Sequence, residues 1–164
     1  MNYLSYLLKA KNQYNLHSPY LFSFYNELIA SKINRNVIIP PLEKDEQIIY
    51  KIINSFQPKT IFISKDIPAE RIKNIVAKAT KKTPNYNCDS TIDCAIISHE
   101  WNEIRNHVGP NSVIIQYRPH KNIEASKTLE TLKSDLKIKV TMDMYHIAIA
   151  LLLPHLHKQN LILR

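Results

Sequence analysis

The chain has 164 residues, 45% of them hydrophobic and 22% charged, with a formal net charge of +8. That length falls in the common single-domain range, and the apolar fraction is too high for a disordered chain. It contains one glycine, Gly109, which argues against a glycine-rich phosphate or nucleotide cradle, because such loops need backbone at positive φ or close to a ligand.

The basic balance favours acidic partners such as nucleic acid or anionic lipid surfaces. The lysines are scattered, however. The densest runs, Lys78, Lys81 and Lys82, then Lys133, Lys137 and Lys139, read as a solvated basic surface. Cys88 and Cys94, with five residues between them, are too few for a disulfide framework and match no zinc spacing; Cys94 lies in an apolar run and reads as a buried thiol. The opening MNYLSYLLKAKNQ lacks the features of a secretory signal, and no segment approaches the ~20 apolar residues of a membrane span. A reducing cytoplasm and no membrane contact are expected.

Tyr3, Leu4, Leu7 and Leu8 at helical spacing predict a short helix ending near Asn12. In NLHSP, Ser18 is a natural N-cap and Pro19 suits the first helical position, so a second helix runs through Leu21, Phe22, Phe24, Tyr25, Leu28 and Ile29. His17 reads as a structural hydrogen-bonder. Tyr3, Tyr6, Tyr14, Tyr20 and Tyr25 form a stripe that serves as helical core or as an exposed patch for a partner. Pro40-Pro41 closes a loop, and a third helix follows from Glu43 to Phe56, burying Ile48, Ile49, Ile52 and Ile53 and ending at Pro58.

From here the period changes. TIFIS, Thr60 to Ser64, predicts a strand buried on both faces, Lys65 to Pro68 a turn, and Ala69 to Lys82 a helix with Ile72, Ile75 and Val76 inward. After a polar stretch, Thr83 to Ser90, DCAIIS (Asp93 to Ser98) is a second strand. Trp101 to His107 predicts a helix closed by a Gly109-Pro110 turn, Ser112 to Tyr117 a third buried strand, and Asn122 caps a helix reaching about Asp135. Leu136 to Met142 alternates apolar and polar, predicting an amphipathic strand with one exposed face. Asp143 to Tyr145 turns the chain into a strand from His146 to Leu153, and Leu161 to Leu163 extends the sheet after Pro154. The expectation is an α/β, Rossmann-like three-layer sandwich: N-terminal helices, a reduced, mostly parallel sheet of about five strands, and a C-terminal antiparallel hairpin. Residues 1–164 read as one domain, with a helical segment over 1–57 and an α/β core over 58–164.

This order, with NLHSPYLF, PKTIFIS, IDCAIIS, NSVIIQYRPH and KVTMDMYHIAIALL as its matching text, resembles a bacterial branch of the class I S-adenosylmethionine-dependent methyltransferases over nearly the whole chain. The resemblance implies an acidic residue at the end of the first strand and two spaced glycines after it. Those positions hold Ile63, Lys65 and Ala69, so side chains stand where backbone should approach the cofactor, with Ser64 and Asp66 as the remaining polar groups. The acid ending the next strand is replaced by Ser98, and Tyr117 and Arg118 stand where acidic residues face metal or substrate, so no metal is expected. The ten or so residues between the Ala69 helix and the Asp93 strand replace further strand and helix units, leaving the first strand near a new edge.

The resemblance therefore implies a degenerate member that has lost its cofactor site and acts as a binding or partner subunit, with no cofactor expected. Alternatives are a residual methyltransferase that binds S-adenosylmethionine through an altered site, and a basic RNA-binding protein. Candidate catalytic residues are His99, Glu100 and His120; the former cofactor site is represented by Ser64, Lys65, Asp66 and Ser98. His146, His155 and His157 read as surface histidines, since no defined ligand set accompanies them. A protein partner, or a second copy of the chain, is the expected associate.

Overall fold

A computed structural model describes residues 2–12, 16, 18–31, 42–86 and 90–164. His17, Tyr14, Pro40-Pro41 and Cys88 lie outside the described residues. Helix α1 (Tyr3–Lys9) is capped by the Asn2 side chain. Helix α2 (Pro19–Ser23) starts at the Ser18 cap with Pro19 in its first turn, and then widens into a π-helical segment, Phe24–Ala30. A continuous α-helix was expected there. Lys51, from the next helix, donates to the carbonyls of Ile29 and Ser31, supplying partners where the widened segment ends.

Helix α3 (Lys44–Phe56) begins with a capping box, in which the Glu43 N–H donates to the Glu46 carboxylate at 2.9 Å, and acidic residues in its first turn suit the positive helix end. It stops at Gln57, whose φ of 45° is left-handed, with Pro58 barring continuation. Ile49, Ile52 and Ile53 are fully buried, whereas Ile48 packs only partly.

Six strands form one sheet among the described residues: β1 (Ile61–Ile63), β2 (Ile92–Ile97), β3 (Val108–Tyr117), β4 (Val140–Asp143), β5 (Ile147–Leu151) and β6 (Gln159–Ile162), in the order β1-β2-β3-β5-β4-β6. Only β5 runs against the others. The anticipated extension near Leu161 is the sixth strand. Helix α4 (Ala69–Ala79) joins the N-terminal helices on one face; α5 (Trp101–Ile104) and α6 (Ile123–Ser134) cover the other. This is an α/β, Rossmann-like, three-layer arrangement.

Strand alternation divides the core between the faces. Cys94 and Ile96 of β2 join the cluster with α3 and α4, and Ala95 and Ile97 join the cluster with Trp101 and Leu132. Each fully buried isoleucine contributes roughly 1.5–3 kcal/mol relative to exposure, so the two clusters clamp the sheet from both sides.

Four sequence readings need correction. First, β4 has no exposed face: all four residues are buried, because β5 and β6 flank it, α6 packs against it, and Val140 and Met142 join the core cluster on the N-terminal helices' side. The alternation from Leu136 is coincidental, since Leu136 is 85% exposed and Ile138 joins the opposite core from Val140 and Met142. Second, Gly109-Pro110 does not turn the chain. It begins β3 without positive φ, and the turn falls earlier, after a helix that ends at Ile104. Third, Asp143 completes β4 rather than turning. Fourth, β1 is only partly buried, Phe62 and Ile63 being half-exposed at the sheet edge.

That edge carries a trace of a further strand. The Ile61 N–H and Lys59 carbonyl, which point away from β2, bond the backbone of Asn85 at 2.9 and 2.7 Å in a single parallel bridge. The chain therefore leaves β1 through α4 in one direction and leaves β2 through α5 in the other.

Candidate functional site

Opposite departures from adjacent parallel strands make a topological switch point, and ligands in open α/β sheets bind in the crevice at that point, outside the carboxyl ends of the strands. Here the crevice lies between Ser64, Lys65 and Asp66 after β1, and Ser98, His99 and Glu100 after β2.

Its centre is already occupied by protein. Ser64 is fully buried and extends the β1 ladder through its N–H to the Ile96 carbonyl. Its hydroxyl donates to Glu100 and accepts the Asp66 N–H at 3.1 Å. The Glu100 carboxylate also accepts the N–H groups of Ser98 and His99, at 3.0 and 2.9 Å. Burial alone pushes this carboxyl up, but the Ser64 and backbone hydrogen bonds outweigh it and hold Glu100 below its ordinary value. Across the opening, His99 Nε2 lies 3.4 Å from the Asp66 carboxylate. Lys65 is exposed.

Asp66, His99 and Glu100 each offer one donor atom, all within 4.8 Å of one another, the one such group among the described residues. Glu100 spends its carboxylate on three protein donors, so this group is self-satisfied. Beside it a pocket of about 200 Å³ is walled by Asp66, Ile67, Pro68, Ser98, Tyr117, Arg118 and Lys121. Arg118 takes a left-handed φ of 50°, and its guanidinium lies 5.1 Å from the centre of the Tyr117 ring and 3.7 Å from the Glu43 carboxylate. The start of α3 is thus linked to the pocket wall through Arg118. Glu46, held below its ordinary value first by its hydrogen bond from Arg71, ties α3 to α4 there.

The structure brings together Ser64, Asp66, Ser98, His99 and Glu100, with Tyr117 and Arg118 along one wall. It does not bring His120 to them. The three candidate catalytic residues are split, because His120 turns to the end of β4, where its Nε2 lies 2.9 Å from the buried Asp143 carboxylate and its ring stacks on Tyr145 at 5.2 Å. Tyr145 is itself left-handed, at φ 67°, with its N–H on Asp143 at 3.0 Å. The Tyr6 hydroxyl donates to the Leu163 carbonyl close by, so part of the tyrosine stripe is a buried tether, while Tyr3 and Tyr20 remain partly exposed. Sequence reading missed Asp143, taken for a turn residue; the signal was an acid ending an apolar run, with a histidine, His120, three residues past the end of β3. His146, His155 and His157 are exposed and join no metal-type group among the described residues. No described helix is long and apolar enough to cross a membrane.

No family model and no curated protein matches the chain. Among solved structures it is similar to a methyltransferase from Geobacter sulfurreducens, with TM-score 0.45 and 9% identity over 82% of this chain and 97% of that one. It is also similar to cofactor-bound Rv0187 from MTB, with TM-score 0.44 and 11% identity over 91% of this chain and 95% of the other.

Proposed function

We propose that this chain is a methyltransferase-like domain whose cofactor crevice is closed by its own side chains, and that it works as a non-catalytic binding or partner subunit. The observation that carries this reading is the Ser64–Glu100 latch across the switch point, which completes with protein groups the hydrogen bonds a ligand would make. The remaining pocket, about 200 Å³, is below the ~300–1,000 Å³ typical of small-molecule sites. Lys65 and Ala69 put side chains at the two close-approach positions of the turn, and Ile63 offers no acid.

Calorimetry with S-adenosylmethionine tests the proposal, backed by thermal melting with the same compound, since a ligand at a hundred times its Kd stabilises the fold by about 2.7 kcal/mol. The expected result is no saturable heat and no shift in melting temperature. Micromolar binding, or transfer of a labelled methyl group to lysate components, would overturn it in favour of an active enzyme with an altered site.

A further inference from the structure

On the α3 side of the molecule, away from the crevice, the π-helical segment and the end of α3 enclose a cavity of about 490 Å³, lined by Tyr20, Ser23, Phe24, Glu27, Ser55 and Phe56. Three of the six are aromatic, two are small hydroxyl residues, and Glu27 is the single charged residue among them. The ring centres of Phe24 and Phe56 lie 6.3 Å apart with their planes at 71°. The rings pack edge to face and both line the cavity, Phe24 from the core at 8% exposure and Phe56 from a partly buried position beside it. Tyr20 stands 6.3 Å from Phe24 at 26° and extends that wall, and its outer side rests against His155 at 5.3 Å. Glu27 is exposed and anchored by the Ser23 hydroxyl at 2.6 Å, which keeps a carboxylate at the rim.

We propose that this cavity is an aromatic cage for an alkylated ammonium group, either a free quaternary ammonium compound or a methylated lysine side chain. Ring faces carry negative quadrupole potential and attract a cation lying within about 6 Å of the centroid, and three aromatic rings, Tyr20, Phe24 and Phe56, line this cavity. Methyl groups on nitrogen fit this environment twice over: they spread the charge, which lowers the desolvation cost of entry, and they bury apolar surface against the rings. Charge complementarity points the same way. Although the chain carries a net charge of +8, the one charged group among the described lining residues is the Glu27 carboxylate, which favours a cation over an anion there. A plain hydrophobic groove would serve a neutral group equally well, which separates the two explanations.

The test is titration of the full chain with choline chloride, with its uncharged isostere 3,3-dimethyl-1-butanol, and with one peptide carrying either trimethyllysine or unmodified lysine. Amide NMR shifts at Ser23, Glu27 and Ser55 are the readout. Saturable shifts at these positions with choline, or with the trimethyllysine peptide, and at least about tenfold weaker binding of the isostere support the cage. Choline alone marks a free small molecule as the ligand; the peptide alone marks a methylated chain. Phe56→Leu, which keeps apolar bulk and loses the ring, and Glu27→Gln are expected to weaken binding several-fold; the first also loses the Phe24 ring contact and lowers the melting temperature by a few degrees, while the second leaves it unchanged. Should Phe56→Leu fold poorly, the more exposed Tyr20→Leu replaces it. Absence of saturable shifts with either cation, equal binding of the isostere, or affinity indifferent to loss of the ring overturns the proposal. None of these outcomes bears on whether the β1–β2 crevice binds S-adenosylmethionine.

Discussion

Replacing Glu100 by glutamine probes the latch directly. Its carboxylate accepts Ser64 on one oxygen and two backbone N–H groups on the other. Glutamine keeps one acceptor and turns an NH₂ toward the donors on the other side. Hydrogen bonds to a charged group are worth about 1.5–3 kcal/mol each. Half-buried Ser98 and His99 can recover water on their N–H groups, whereas Ser64 is fully buried and its hydroxyl cannot. The net loss is therefore about 2–3 kcal/mol at pH 7, or roughly 5–10 °C in melting temperature for a chain of this size. The sign of the pH dependence follows from the depressed folded-state value. A carboxyl lowered on folding contributes stability above its unfolded value, here 4.5, and loses it as pH falls through the folded one. Urea unfolding of both proteins from pH 8 to pH 3 should show a constant gap down to about pH 5 that closes below it. Equal stability at pH 7, or a gap unchanged by acid, would refute the reasoning that Glu100 is an ionised structural acceptor.

Three further outcomes can be checked on the same material. Asp135 accepts from Trp101 Nε1 at 3.1 Å, from Arg105 Nη2 at 2.9 Å and from the Lys137 N–H at 2.9 Å, so Asp135→Asn should cost about 1.5–3 kcal/mol in urea and shift the emission of Trp101, the one tryptophan; unchanged emission counts against it. Gly109→Ala brings a Cβ to 2.9 Å from the Thr91 methyl without a positive φ, so the loss should be about 1 kcal/mol, relieved by Thr91→Ser, and a loss above about 3 kcal/mol would mean the glycine is needed for its backbone. Cys94 is completely buried, and burial, then the nearby Asp93, pushes its thiol up, so in a Cys88→Ser background a thiol reagent should react only at the rate of unfolding; prompt labelling of folded protein would contradict this.

Much of the fold was legible because local chemistry and tertiary demand agree. Ser18-Pro19 and Asn122 are caps whose side-chain reach is a property of three or four adjacent residues, and each stands where the sequence placed it. The apolar runs at TIFIS, DCAIIS and SVIIQY become parallel strands for an equally local reason, their β-branched content. Site residues adjacent in sequence, Ser98, His99 and Glu100, were found together because a strand end fixes their neighbourhood.

What the sequence by itself determined, then, is the order and type of the elements, and the absence of glycine from the turn after the first strand. Tertiary structure alone decided which strand lies at an edge and where polar side chains find partners. Exposure of β4 depended on β6 pairing beside it through a residue register set 19 positions later, which no short window contains. Ser64 meets Glu100 across 36 residues, and His120 meets Asp143 across 23, because the sheet brings strand ends together and buried acceptors take the nearest donors. Local propensity is written in neighbouring residues; satisfaction of buried polar groups is settled only when distant segments share a surface.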